Sequence, residues 1–144
     1  MSLPYLASPP YAAPLRAVDS SRVQAQGDRL LITATKSVVD TDPYLAAHFP
    51  GHTVYPGVFI VEGVQQAVVA VLGPRDGVLP ELSAVHSLRF LGAMHPGECL
   101  CIVATVEPAD EVGSRRVEAI GRRPDGTVVA RLALSFTYQV SDDG

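Results

Sequence analysis

Hydrophobic and polar positions divide this chain into several short strand-like runs around one long apolar run. Arg29 to Val39 (RLLITATKSVV) is rich in β-branched residues and predicts a strand. Ser83 to Ala93, Glu98 to Glu107, Arg115 to Gly121 and Thr127 to Val140 predict four more, with Pro96-Gly97 between the first two and Pro124-Asp125-Gly126 closing the last two as a short hairpin. Short turns between neighbours require antiparallel pairing. The long run, Gly57 to Leu72 (GVFIVEGVQQAVVAVL), holds no turn signal for sixteen residues and stops at Gly73-Pro74, which predicts a helix. Apart from Glu62, Gln65 and Gln66 it is apolar or small on every side, so the helix is expected to be buried nearly all round. One buried helix among strands needs a wrapper, and a curved antiparallel sheet supplies it. The expected class is α+β. Asp40 to Pro56 reads as loop, and residues 1–14, with four prolines, as an irregular lead-in to a single domain spanning 1–144.

Composition narrows the function classes. Hydrophobic residues make up 47% and charged residues 18%, which excludes a disordered chain. A net charge of −4 argues against nucleic acid, whose phosphates need a basic surface. Pro56, Gly57, Glu62, Gln65 and Gln66 interrupt the longest apolar stretch, so a membrane span is not expected. Prolines break the first residues where an export signal needs an apolar core, which leaves a cytoplasmic protein as the expectation. Cys99 and Cys101 are too few for a disulfide framework or a four-ligand zinc site. Alternating along a strand, they share a face and read as small buried hydrophobes.

Candidate chemistry is concentrated in His48 to Gln66 (HFPGHTVYPGVFIVEGVQQ). A glutamate among Val58, Ile60, Val61 and Val64 is costly to bury ionised, so Glu62 must pair or hold its proton. A protonated carboxyl is a general acid. His48 is a candidate base, although a loop histidine taken alone has an ordinary structural reading. Gly57 opens the helix, where the first N–H groups lack intrahelical acceptors and no side chain shields them. Base, acid and backbone donor together suit proton removal beside a carbonyl.

The run HFPGHTVYPGVFIVEGVQQA resembles the signature of the β-hydroxyacyl-acyl-carrier-protein dehydratases of bacterial fatty-acid synthesis: His-Phe-Pro-Gly, then Pro-Gly, then an acid with Gln four residues later. Asp42-Pro43-Tyr44 and Arg89-Phe90 followed by Pro96-Gly97-Glu98 extend the similarity over roughly residues 28 to 140. The resemblance implies a hotdog fold, one long helix wrapped by an antiparallel sheet. It also implies a homodimer, or a higher oligomer of dimers, in which His48 of one subunit faces Glu62 of the other. His48 would take the C2 proton of a 3-hydroxyacyl thioester, Glu62 would protonate the departing C3 hydroxyl, and the Gly57 amide would hold the thioester oxygen. Gln66, one turn beyond Glu62, would orient the carboxyl. The implied partner is an acyl carrier protein bearing the substrate, with no metal or organic cofactor. Tyr55 and Phe59 flank the helix start, and lining an acyl tunnel and packing in the core explain them equally well.

Three departures stand out. Residues before 28 only faintly match the family opening, Leu91-Gly92 replace common basic residues, and Gly63 replaces the usual alanine after the acid. Gly63 costs about 1 kcal/mol of helix propensity and would make room beside Glu62. Together they point to a specialised relative, serving a polyketide or polyene pathway. His52, in the same loop, reads as solvated, His86 and His95 share no local metal-ligand spacing with His48, and Arg115-Arg116 and Arg122-Arg123 read first as solvated hairpin surface. Two alternatives remain open: a hotdog thioesterase, and the non-catalytic half of a mixed dimer.

Overall fold

The computed structural model describes residues 15–39 and 55–138. Its one helix, α1 (Gly57–Leu72), occupies the predicted span. Pro56 leads in with extended backbone (φ −62°, ψ 136°), a proline compatible with a helix start. Gly73 ends it at φ 66°, its N–H donating to the Val69 carbonyl at 2.9 Å, before Pro74 forbids continuation. Six strands accompany it: β1 (Ser20–Gln26), β2 (Arg29–Ser37), β3 (Pro80–Phe90), β4 (Cys99–Val106), β5 (Arg115–Arg122) and β6 (Val128–Tyr138). They form one antiparallel sheet in the order β1-β2-β4-β5-β6-β3.

Alternation decides which side chains meet the helix. Ile32 and Ala34 of β2, Leu100, Ile102 and Ala104 of β4, Val117 of β5, and Leu134 and Phe136 of β6 point inward onto Ile60, Val64 and Val68 of α1, forming one core. Burying each of the larger side chains among them, valine to phenylalanine, stabilises the fold by roughly 1.5–3 kcal/mol. Cys99 and Cys101 point to the opposite, outer face, half-buried rather than buried, because Leu100 and Ile102 take the inward positions.

Two sequence expectations, on the helix and on the strands, are corrected. The helix is not buried all round: Val58 is 65% exposed, Ala70 is exposed, and Glu62, Gln65 and Gln66 are half-buried. As expected, one antiparallel sheet packs against the helix; it is open, and its two edges β1 and β3 do not meet. A strand not foreseen, β1, forms a hairpin with β2 through Gly27 at φ 64°. All seven of its residues are exposed, so no buried stripe marked it in the sequence. The hairpin arginines are also less free than expected. Arg115 donates to the Glu107 carbonyl at 2.9 Å, and Arg123 donates from Nε and Nη2 to the Ala93 carbonyl and lies 3.4 Å from Glu98. Arg123 thereby braces the turn between β3 and β4.

Strand β3 starts three residues earlier than the pattern indicates and carries two bulges. Its register against β6 slips between Leu82 and Ala84 and again between Val85 and Ser87. The extra residues at each slip are anchored to one partner: the Ser83 hydroxyl donates to the Ser135 carbonyl at 3.1 Å, and His86 Nε2 lies 2.7 Å from the Ser135 hydroxyl. The far edge of β3 pairs with no described strand, and Val85, Leu88 and Phe90 along it are 40–50% exposed. Asp42-Pro43-Tyr44, His48 and His52 lie outside the described residues, as does the lead-in 1–14.

Candidate active site

Glu62 sits in the second turn of α1, on the side of the helix that the sheet leaves uncovered. It opens onto a cavity of about 480 Å³ whose walls are Gln66, Val69 and Ala70 of the helix and Leu79, Pro80 and Glu81 at the start of β3. The mouth therefore joins the carboxyl to an apolar wall and to a second carboxylate, Glu81. Sequence reading missed Glu81 and Leu79, because only the fold brings the start of β3 alongside the helix.

Gln66 makes three hydrogen bonds in the site. Its Oε1 accepts from the Ala17 N–H at 3.0 Å, and its Nε2 donates to the Leu15 carbonyl at 2.7 Å and to Glu62 Oε1 at 3.2 Å. The first two bonds run to the backbone of one segment, so they fix which end of the amide faces Glu62. Glu62 Oε1 is thus an acceptor, and the proton of an un-ionised carboxyl belongs on Oε2. The strap Leu15–Ala17, through Gln66, orients a group it does not touch.

Gly63 is what lets the strap come this close. A Cβ at that position would stand 3.2 Å from the Ala17 carbonyl oxygen and 3.1 Å from Ile102 Cδ1. The space expected beside Glu62 is filled by the strap and by β4 instead. Nothing in the sequence around Ala17 signals this contact, since it depends on main-chain atoms.

At the start of α1 no side chain caps the helix and its first turn holds no acidic residue. No acceptor among the described residues meets the Gly57 N–H, which leaves it as a donor for a carbonyl oxygen. The place where a Cβ would be is covered by Phe90, whose ring carbons lie 3.0–3.1 Å from it. The face expected to be open is therefore roofed by an aromatic ring, itself 47% exposed. Tyr55 is 3% exposed and belongs to the core, its N–H bonded to the Met94 carbonyl at 2.8 Å. Phe59 meets it edge-to-face with centroids 5.4 Å apart and packs half-buried against the core. Of the expected site residues, the structure brings Glu62 and Gln66 together and sets Gly57 and Phe59 on the same helix, while His48 falls outside the described residues.

Comparison with known proteins bears on this arrangement. The FabA-like domain family matches residues 13–131. A 3-hydroxyacyl-(acyl-carrier-protein) dehydratase FabZ from Fusobacterium nucleatum subsp. nucleatum is 31% identical over 135 residues, covering 92% of each chain. The enzyme of that name from Thermus thermophilus is 37% identical over 119 residues, 79% of this chain and 82% of its own. Among solved structures, the dehydratase heterocomplex ApeI:P from Xenorhabdus doucetiae superposes with a TM-score of 0.62 at 16% identity, over 83% of this chain and 96% of that one. A hypothetical thioesterase with coenzyme A from Streptococcus pneumoniae does so with a TM-score of 0.59 at 13% identity, over 85% and 88%. Dehydratase and thioesterase share this architecture, so the fold does not choose between them. The sequence match over most of the chain does: with its single helix against an open six-stranded sheet of hotdog type, the chain belongs to the FabA-like family.

Proposed function

We propose that this chain eliminates water from a 3-hydroxyacyl thioester carried on an acyl carrier protein, giving the trans-2-enoyl thioester. The observation that carries the reading is Glu62 held by Gln66 on the open side of α1, in a chain of the FabA-like family. His48 removes the C2 proton, and the electrons move into the thioester carbonyl. The Gly57 N–H stabilises the negative charge that develops on its oxygen. As the double bond forms between C2 and C3, Glu62 Oε2 gives its proton to the C3 hydroxyl, which leaves as water. A positioned acid or base contributes about 10²–10⁴-fold and one oxyanion donor about 10²–10³-fold. No step requires a metal or an organic cofactor.

The working unit is a homodimer, with His48 and Glu62 of each site drawn from different subunits. The free edge of β3 and its exposed apolar residues Val85, Leu88 and Phe90 support this, because an unpaired apolar edge invites a second strand. No helix among the described residues is long and apolar enough to cross a membrane, and the cytoplasm is the compartment this reading assigns. The departure at Leu91-Gly92 supports a specialised relative acting on a polyketide or polyene chain.

Carrier-bound 3-hydroxyacyl chains of graded length, followed by mass spectrometry, test the reaction. The expected product has lost one water and stays attached to its carrier. Release of free carrier thiol would replace the proposal with thioester hydrolysis. Glu62→Gln and His48→Ala should each lose about 10² or more in kcat with the dimer intact. Near-wild-type turnover in either variant overturns the assignment.

A further inference from the structure

One charged side chain lies inside the fold and takes no part in the mechanism above. Along β2 the buried positions run Ile32, Ala34, Lys36, so alternation sends the Lys36 stem towards the core, and the residue is 6% exposed. Its Nζ lies 3.5 Å from Asp19 Oδ1, and among the described residues no other carboxylate is in ion-pair range of it. Asp19 is hooked to β2 twice more. Its Oδ2 accepts from the Ser37 N–H at 2.6 Å, and its own N–H donates to the Thr35 carbonyl at 2.8 Å. Three consecutive residues of β2 thus hold one aspartate, two positions beyond Ala17. Leu15 and Ala17 in turn hold Gln66, and Gln66 holds Glu62. The strap is therefore tied at two places, to the sheet through Asp19 and to the helix through Gln66.

A buried ion pair is weak evidence for stability, since well-packed apolar residues in its place are often neutral or stabilising. The pattern of β2 asks for an apolar residue at position 36, and methionine would fill it. What the ammonium supplies and methionine would not is direction: it draws the Asp19 carboxylate to one point on the sheet, and the strap with it. Strand β1, which follows directly, cannot do this by burial, because all seven of its residues are exposed. Ala17 has little latitude, its carbonyl oxygen lying 3.2 Å from where a Cβ on Gly63 would stand. A shift of the strap along β2 therefore moves the donor and the acceptor that set the Gln66 amide. We infer that Lys36 and Asp19 are positioning residues for the acid of the reaction: their ion pair sets the strap's place on β2 and, through Gln66, where the Glu62 carboxyl stands. The role rests on the functional reading above, in which Glu62 is that acid.

Lys36→Met separates positioning from stability, because the Asp19 side chain is 36% exposed and stays hydrated when the ammonium is gone. In the full-length protein, kcat for the carrier-bound 3-hydroxyacyl substrate should fall about tenfold with KM within about twofold of wild type, while the thermal midpoint holds or rises. Lys36→Arg, which keeps the cation, should recover most of the lost kcat. Asp19→Asn, which keeps an oxygen for the Ser37 N–H, should reproduce the fall. In a Gln66→Leu background Lys36→Met should cost nothing further, because the route to Glu62 is already cut. Amide exchange at Ala17 should accelerate in Lys36→Met with no substrate present. Wild-type kcat in Lys36→Met or Asp19→Asn, or an undiminished further loss in the Gln66→Leu background, would overturn the positioning role. Unchanged exchange at Ala17 would overturn it too, as would a Lys36→Met chain too unstable to assay, which would make the pair a stability element. A wild-type chain that dehydrates no 3-hydroxyacyl thioester, with Ala17 exchange still dependent on Lys36, would refute the reaction while the ion pair's hold on the strap stood.

Discussion

Replacing Gln66 by leucine should loosen the strap and the acid together. The substitution keeps the side chain's approximate size and removes three hydrogen bonds: from the Ala17 N–H, to the Leu15 carbonyl and to Glu62 Oε1. A polar group left unsatisfied away from water costs about 1–3 kcal/mol, and two backbone groups are orphaned if the strap stays docked. Undocking lets water reach them but exposes Ala17, which is 1% exposed in the native fold. Either route costs about 2–4 kcal/mol, which for a chain of this size lowers Tm by roughly 4–16 °C. Amide exchange at Ala17 should accelerate, because the acceptor that protects it is gone. Turnover of the carrier-bound substrate should fall about 10- to 10²-fold as the Glu62 carboxyl loses its fixed orientation, with KM changed far less. Thermal unfolding, exchange at Ala17 and steady-state kinetics make the comparison. A drop in Tm of under about 2 °C with Ala17 still protected would refute the clamp and the orientation argument built on it.

Gly57→Ala places a methyl group 3.0 Å from the Phe90 ring while keeping the backbone N–H, so kcat/KM should fall about 10-fold or more as ring and helix start part. Recovery in the double variant with Phe90→Leu would confirm the cause in kinetic assays. Gly63→Ala gains about 1 kcal/mol of helix propensity but forces the Ala17 carbonyl to retreat. Stability measured by denaturant should change little, while Ala17 exchange speeds up; a clear stabilisation with Ala17 still protected would count against the tight contact. Asp125 accepts from the Thr127 N–H at 2.9 Å, and that bond holds its carboxyl below the ordinary carboxylate range. The folded state therefore favours the ionised form, so Asp125 stabilises the hairpin above that range and its contribution fades as pH falls through the lowered value. The stability gap between wild type and Asp125→Ala should shrink in acid, and a gap that widens there would contradict the assignment.

The helix was legible to the residue because Pro56 and Gly73-Pro74 bound it with local stereochemistry that tertiary contacts reinforce. Strands β2, β4, β5 and β6 were legible because apolar alternation marks a half-buried sheet. Strand β1 was not, since hydrogen bonding to β2 rather than burial holds it. Glu62 and Gln66 were legible from a polar pair one turn apart in an apolar helix. Their third partner, the strap, was not, because Leu15 and Ala17 contribute backbone atoms that no side-chain pattern records. Gly63 illustrates the same limit. The sequence marked it as unusual, and only the fold shows that its missing methyl admits the Ala17 carbonyl rather than space beside the acid.

The bulges of β3 link the two faces of the sheet. Inward positions on that strand run Leu82, Val85, Leu88, Phe90, a spacing of three, three and two that blurs the alternation a sequence reader looks for. Each bulge inserts one residue and inverts which side chains face the helix. Two inversions restore the original phase. With only one, Arg89 would point at α1 and Phe90 at solvent, burying a guanidinium against an apolar helix start and removing the ring from Gly57. Ser135 secures both insertions, through its carbonyl to Ser83 and its hydroxyl to His86. A buried serine in β6 thus sets the phase that gives β3 an aromatic roof over the candidate oxyanion donor on one face. On the other face, the same phase turns Arg89 outward, opposite Arg131 on β6.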